Sequence, residues 1–164
     1  MSNDTPRGFS ITISDWVKQT GVDIDQAVRK IEIDLFSRII LKSPVDTGRF
    51  RNNWTCTTAA PSTEVKDAKV AAGQFDRSGN LAIKEMTENV GGAGHITFFC
   101  NNLPYAWVLE YGGYPIKPKR GSRVKGRGYQ IKSAGGYSYQ APHGMVGISM
   151  LEIQPLILKF GSNR

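Results

Sequence analysis

Apolar residues recur at a spacing of three and four through "VDIDQAVRKIEIDLFSRIILK", at Ile24, Ala27, Val28, Ile31, Leu35 and Ile39. That period predicts one face of an α-helix, and Ile33, Phe36 and Ile40 widen the stripe so that more than one side should be buried. Asp23 and Asp25 suit the positive end of its dipole and Lys42 the negative end. A run of roughly 20 residues makes a helix about 30 Å long. Ahead of it, "SDWVKQTG" predicts a separate short helix, capped by Ser14 or Asp15 and closed at Gly21. Pro44 stops the long helix, because the residue before a proline is pushed out of the helical region.

The period then falls to two. Phe50, Asn52, Trp54 and Cys56 alternate with Arg49, Arg51, Asn53 and Thr55, which predicts a half-polar strand. "HITFFCN" predicts another, with Ile96, Phe98 and Cys100 on one face and Thr97 and Phe99 on the other. "STEVKDAKVAAG" is polar, with room for a further strand. "DRSGNLAIKEMTENVGG" carries Leu81, Ile83, Met86 and Val90 in a pattern that fits a short helix or a strand. "LPYAWVLEYGG" predicts two helical turns opened by Pro104, with Tyr105 and Leu109 on one face and Gly112 at the close. From Gly112 to Pro142 there is little to bury, and a loop of that length is uncommon in a compact domain unless it has a use. "HGMVGISMLEIQ" predicts a last helix, kinked or ended by Pro155, with "LILKF" as an apolar tail.

These elements predict an α+β fold in a single domain over residues 1–164. A long N-terminal helix packs on a small, mainly antiparallel sheet, with a second short helix, a C-terminal helix and a long basic loop at about 112–142. At 40% apolar and 21% charged residues, the chain of 164 suits a soluble protein with a real core. It has no internal repeat. "MSNDTPRGFS" lacks the basic-then-apolar layout of a signal peptide. The longest apolar stretch, "GMVGISMLEIQPLILKF", is broken by Glu152 and Pro155, so no membrane span is expected. Cys56 and Cys100 suit reduced core thiols, and a disulfide between them stays open.

Charge alters the picture in one place. The formal net charge is +7, and Lys117, Lys119, Arg120, Arg123, Lys125, Arg127 and Lys132 stand in a stretch without an acidic residue, while the rest of the chain balances. Flanked by Tyr111, Tyr114 and Tyr129 and interleaved with glycine, this segment suits phosphate contact without sequence readout. The plainer reading is a solvated loop, or one ordered on an acidic face of a neighbouring subunit.

"SPVDTGRF" raises the sharpest chemical question, since Asp46-Thr47-Gly48 is the tripeptide of retropepsin-like proteases, and "MVG" at Met145 to Gly147 mimics their downstream signal. Such enzymes need two aspartates sharing a proton. Here the tripeptide follows a helix and Pro44 rather than an apolar strand. Arg49 would hold Asp46 ionised. The turn reading explains more: Asp46 accepts from the amides after it, Thr47 adds a hydroxyl, Gly48 tolerates positive φ, and Arg49 or Arg51 pairs with Asp46. Cys56, Cys100, His95 and His143 show no metal-ligand spacing, and neither cysteine is marked as a nucleophile. "VGGAGH" and "GSRVKGRG" fit no phosphate-binding fingerprint and read as flexible loops.

In order, the long helix, "SPVDTGRFRNNW", a strand, "PYAWVLEYGG", a basic loop and "QAPHGMV" opening a C-terminal helix resemble the neck and tail-completion proteins of long-tailed bacteriophages, a group that includes minor tail components similar to protein Z of phage lambda. The resemblance spans roughly Asp15 to Leu151. Its anchors are Pro44, Val45, Asp46, Thr47, Gly48 and Arg49; then Tyr105, Ala106, Glu110 and Gly112; then Ala141 and Pro142. It implies a virion structural protein assembled in the host bacterial cytoplasm, with no catalytic residue, metal or cofactor. The expected partners are further copies of the chain in a ring, most readily hexameric, and other neck proteins (tail terminator, head-closure protein, tail tube). Such a ring lets DNA pass and makes at most non-specific contact with it. A cyclic head-to-tail contact needs two different apolar patches on each subunit. Tyr105, Trp107 and Tyr111 are candidates for one, and Leu156 and Phe160 for the other. A nucleic-acid-binding module acting through residues 117–132 is the alternative.

Overall fold

The long apolar stripe forms a single helix. In the computed structural model, which describes residues 6–66, 75–113, 123–124, 128–129 and 134–162, α1 runs unbroken over Pro6–Lys42. The expected stop at Gly21 does not occur. A glycine inside a helix costs only about 1 kcal/mol relative to alanine, whereas a break there would strip partners from several backbone groups on each side. Every residue from Ile31 to Ile40 is at least half-buried, so α1 does bury more than one side. Its most buried residues are Phe36, Ile39 and Ile40.

After α1 the chain reverses, but not directly into a strand. Arg49–Asn52 is one helical turn, α2, and the strand β1 occupies only Trp54–Thr57. The side chains of Asn52 and Asn53 explain the correction. They donate to the carbonyls of Gly48 and Arg49 at 2.9 and 2.8 Å, and so hold the backbone in a helical turn. Phe50 and Trp54, read as alternate strand positions, are instead an i, i+4 pair in edge-to-face contact with centroids 5.9 Å apart.

Strand β2, Phe98–Asn101, pairs antiparallel with β1, with Trp54 opposite Asn101 and Cys56 opposite Phe99. Opposed residues share a face, so Trp54, Cys56 and Phe99 look one way, and Thr55 and Cys100 the other. Phe99 stacks on both Trp54 (4.6 Å) and Phe36 of α1 (4.3 Å), which fastens the sheet to the helix. The same register puts the two cysteines on opposite faces. Both are free thiols, and the disulfide left open by the sequence is ruled out.

The ambiguous segment is a helix, α3 (Asn80–Asn89), whose Ala82 and Met86 reach the core together with Val90 beyond its end. Leu81 is left exposed. Helix α4, Ala106–Tyr111, forms the two expected turns, with Leu109 buried and Tyr105 packed on the same core, and with Gly112 closing it. The basic stretch is not a structureless loop where it is described. Arg123–Val124 (β3) pairs with Gly128–Tyr129 (β4), and Ala141 is buried in the core. Helix α5 starts at Val146 rather than at His143 and continues through Pro155 to Ser162. The carbonyl that Pro155 leaves without a donor belongs to Leu151, an exposed residue where water can take its place. "LILKF" is therefore helical, not a tail. The whole is an α+β domain: α1 as spine, the two-stranded sheet and α3 packed on it, and α5 alongside. No helix among the described residues is long and apolar enough to cross a membrane.

Candidate functional site: a clamped scaffold with two uncovered apolar surfaces

The turn after α1 is where a catalytic aspartate would have to sit. Asp46 is exposed, and among the described residues no hydrogen bond or ion pair engages its carboxylate. The fastening expected of it is done by neighbours. Thr47 Oγ1 accepts from the Arg49 amide at 3.3 Å, and the Gln140 side chain bonds both the amide and the carbonyl of Val45 at 2.8 and 2.9 Å. Gly48 sits at φ +94°, where a Cβ would press within 3.3 Å of Phe75 and Arg77. Below the turn, Ser43 Oγ donates to Ile39 O and accepts from Trp54 Nε1, both at 2.8 Å, in a fully buried relay.

Neither arginine serves Asp46 as expected. Arg49 lies over the Tyr105 ring at 5.9 Å. Arg51 donates to four carbonyls, those of Leu41, Ser43, Arg77 and Ser78, between 2.7 and 3.3 Å. It thereby joins the C-terminal end of α1, where carbonyls lack helical partners, to the turn before α3. Burial pushes its guanidinium down from the ordinary value, with Asp76 acting against that shift. The aspartate that does organise a turn is Asp76. It accepts from the Ser78 hydroxyl at 2.6 Å and from the Ser78 and Leu81 amides at 2.9 and 3.0 Å, contacts that hold its carboxyl below the usual range.

"VGGAGH" is likewise no free loop. Glu32 accepts from the Gly92 amide (3.0 Å) and the Thr97 hydroxyl (2.7 Å), and Asp25 from the Ala93 amide (2.9 Å). Arg29 bonds Asp25 and the Val90 carbonyl, both at 2.9 Å. The hydrogen bond from Arg29, followed by that from Ala93, lowers the pKa of Asp25. Two carboxylates of α1 thus take up the Gly92 and Ala93 amides of the glycine loop from within the chain.

The decisive contact joins α4 to α5. Nothing in "APHGMV" supplies a Ser, Thr, Asp or Asn cap, yet α5 starts cleanly because Glu110 reaches across from α4. Its carboxylate accepts from the amides of Met145 (2.7 Å), Val146 (2.9 Å) and Gly147 (2.9 Å). A negative group on unpaired N–H donors at the positive end of a helix dipole is a strong cap. Gly144, at φ +76°, makes the approach feasible, since a Cβ there would stand 2.4 Å from the Glu110 carbonyl oxygen. Farther along α5, Glu152 bonds Lys42 (2.9 Å) and Arg38 (3.2 Å) of α1. The Lys42 hydrogen bond, with Arg38 behind it, lowers the Glu152 pKa. Lys42, expected only to complement the end of its own helix, is an inter-helix tie.

Two surfaces are left uncovered by this scaffold. On α4, the rings of Trp107 and Tyr111 touch at a tilt of 41° with centroids 4.1 Å apart, and stand 67% and 60% exposed. On α5, Ser149 and Ile153 face inward while Met150, Leu151, Ile157 and Leu158 are exposed. Of the sequence's interface candidates, Trp107 and Tyr111 are thus at the surface, whereas Tyr105 is half-buried against the core, 5.8 Å from the Phe50 ring. The side chains of Leu156, Phe160 and Arg123 lie outside the described residues, as do Lys117, Lys119, Arg120, Lys125, Arg127 and Lys132 altogether. Among the described residues no three His, Cys, Asp or Glu converge as a metal site would require. Burial pushes the Cys56 thiol up to about 11, the reverse of an activated nucleophile. The need for a cap was legible in "APHGMV"; that Glu110 supplies it was not, because the two are brought together only by folding. Comparison with protein-family models, with curated proteins and with solved structures returned no match.

Proposed function

We propose that the chain is a structural protein of the head–tail junction of a long-tailed phage, forming a ring that joins tail to head and lets DNA pass. One observation carries this reading: on the side of α5 turned away from its own fold, Met150, Leu151, Ile157 and Leu158 are exposed, and Gln154 is the one polar side chain among the described exposed residues of the helix. A helix with apolar residues on its outer as well as its inner side is suited to being covered on both, and a ring of identical subunits provides the second cover. The resemblance motifs support it too. Val45 of the first block meets Gln140 beside the third, Arg49 covers Tyr105 of the second, and Glu110 of the second caps the helix that follows the third. Val45, Arg49, Tyr105 and Glu110 among the residues that mark the resemblance thus serve anchoring, as a scaffold requires.

The ring is hexameric in this reading, and its neighbours are the head-closure, terminator and tube proteins. In this reading the cations of the basic segment 117–132 supply weak, salt-sensitive contacts to passing DNA. The test is joining in vitro: lysates of a phage lacking this gene should accumulate separate heads and tails, and purified protein should restore infectious particles. Full particles from the deletion strain would refute the proposal. If deleting 117–132 abolishes DNA binding while joining persists, the segment is a nucleic-acid module in its own right.

A further inference from the structure

We infer that the Trp107–Tyr111 pair of one subunit docks on the outward face of α5 in a second copy, so that the contact between copies is head-to-tail. This rests on the ring reading above and specifies its interface. The first argument is charge. Glu110 is the one charged residue between Asn101 and Tyr111, and Glu152 the one in α5 up to Leu158. Both are turned inward, Glu110 onto the α5 amides and Glu152 onto Arg38 and Lys42. Among the described side chains up to Leu158, the uncovered sides of α4 and α5 therefore carry no charge that is not already paired or capping, as suits the centre of a stable interface.

Area gives the second argument. Trp107, Tyr111, Met150, Leu151, Ile157 and Leu158 are 46–72% exposed. Each of the two patches uncovers on the order of 300 Å² of apolar surface, in the range of the largest patch on a typical monomer, and one patch from each partner supplies the apolar centre of an interface whose standard size takes roughly 800 Å² from each side. The third is economy of cover. Pairing α5 with α5 about a two-fold axis would leave the aromatic pair in water, whereas a head-to-tail contact covers both surfaces. Two unlike patches on every subunit also allow the contact to repeat and close. Because Glu110 bonds α4 to the start of α5, the two patches are held by one rigid connection.

Mixing two assembly-defective variants tests this. One carries Trp107→Asp and Tyr111→Asp, the other Leu151→Asp and Leu158→Asp. All four positions are exposed, and circular dichroism should show wild-type helicity in each variant. By light scattering, the wild type should give a mass several times 18.1 kDa, and each variant alone should be a monomer. An equimolar mixture should give a particle of twice the monomer mass, because each variant keeps the patch the other lacks. Wild-type mass retained by the α4 variant, or no dimer in the mixture, overturns the inference. So does a wild type still monomeric at about 100 µM, well above the Kd range of stable interfaces. Head–tail joining reads the other question separately: mixed dimers without joining activity leave the contact standing and reject the virion role.

Discussion

Removing the Glu110 carboxylate is the most direct test of how the two outer helices are held together. Glu110→Ala takes away three charge-assisted hydrogen bonds of 2.7–2.9 Å and the negative charge at the start of α5. An N-cap is worth about 1 kcal/mol, the dipole term about 0.3–1, and a bond to a charged group about 1.5–3. The sum of the upper values does not apply, because Gly147 is exposed and Val146 half-buried, so water can replace the carboxylate there. Only the Met145 amide, on a residue 1% exposed, is left without a partner. A loss of about 2–3 kcal/mol follows. Glu110→Gln retains an acceptor oxygen but turns an amide NH₂ toward a donor, and should lose about 1–2 kcal/mol. The assay is urea denaturation at pH 7 and about 1 µM chain, followed by tryptophan fluorescence, with the midpoint shifting and the slope unchanged. If Glu110→Ala shifts stability by less than about 0.5 kcal/mol, the carboxylate is not the cap of α5 and the rigid link between the two surfaces is lost.

Other expectations follow from the same structure. Arg51→Met removes the shared donor of four carbonyls and should destabilise by about 2–4 kcal/mol, while Arg51→Lys retains only part of that, as thermal melts would show. Ser149 is fully buried, and its hydroxyl has no partner among the described residues, so Ser149→Ala should be neutral or stabilising by up to about 1 kcal/mol. Glu152 and Asp76 have folded-state pKa values below their ordinary 4.5 and 3.8. Their stabilisation is therefore complete above those values and disappears as pH falls through the lower folded ones. Acid titration of stability should be flat above pH 5 and fall below about pH 4, with a shallower fall in Glu152→Gln. With its pKa at about 11, Cys56 should resist alkylation at pH 8 until the protein is unfolded, and oxidation should yield no intramolecular disulfide, as mass spectrometry would report.

The sequence by itself determined the elements whose signal is a local period. α1, the β2 strand, α4 and α5 stand close to where apolar spacing put them, and Pro44 ends α1, because periodicity and proline act over one or two turns of chain. The α+β class follows from those elements alone. Local reading failed where side-chain bonds to the backbone, or the continuity of a long helix, override the pattern of apolar positions. Asn52 and Asn53 turned an alternating pattern into a helical turn, and the length of α1 carried it through Gly21. The charge in the basic segment was legible, but no period says what it faces. Only the tertiary structure decided which polar groups meet: Glu110 with the α5 amides, Gln140 with Val45, Arg51 with the end of α1, and Glu32 and Asp25 with the glycine loop. Each pair joins positions distant in the chain, or needs a backbone turn already made, so neither partner's sequence context announces the other. Folding also decided that Asp46 stands in water while Asp76 organises a turn. A carboxylate's role is set by the donors that surround it, and those donors are gathered by packing rather than by neighbouring residues in the chain.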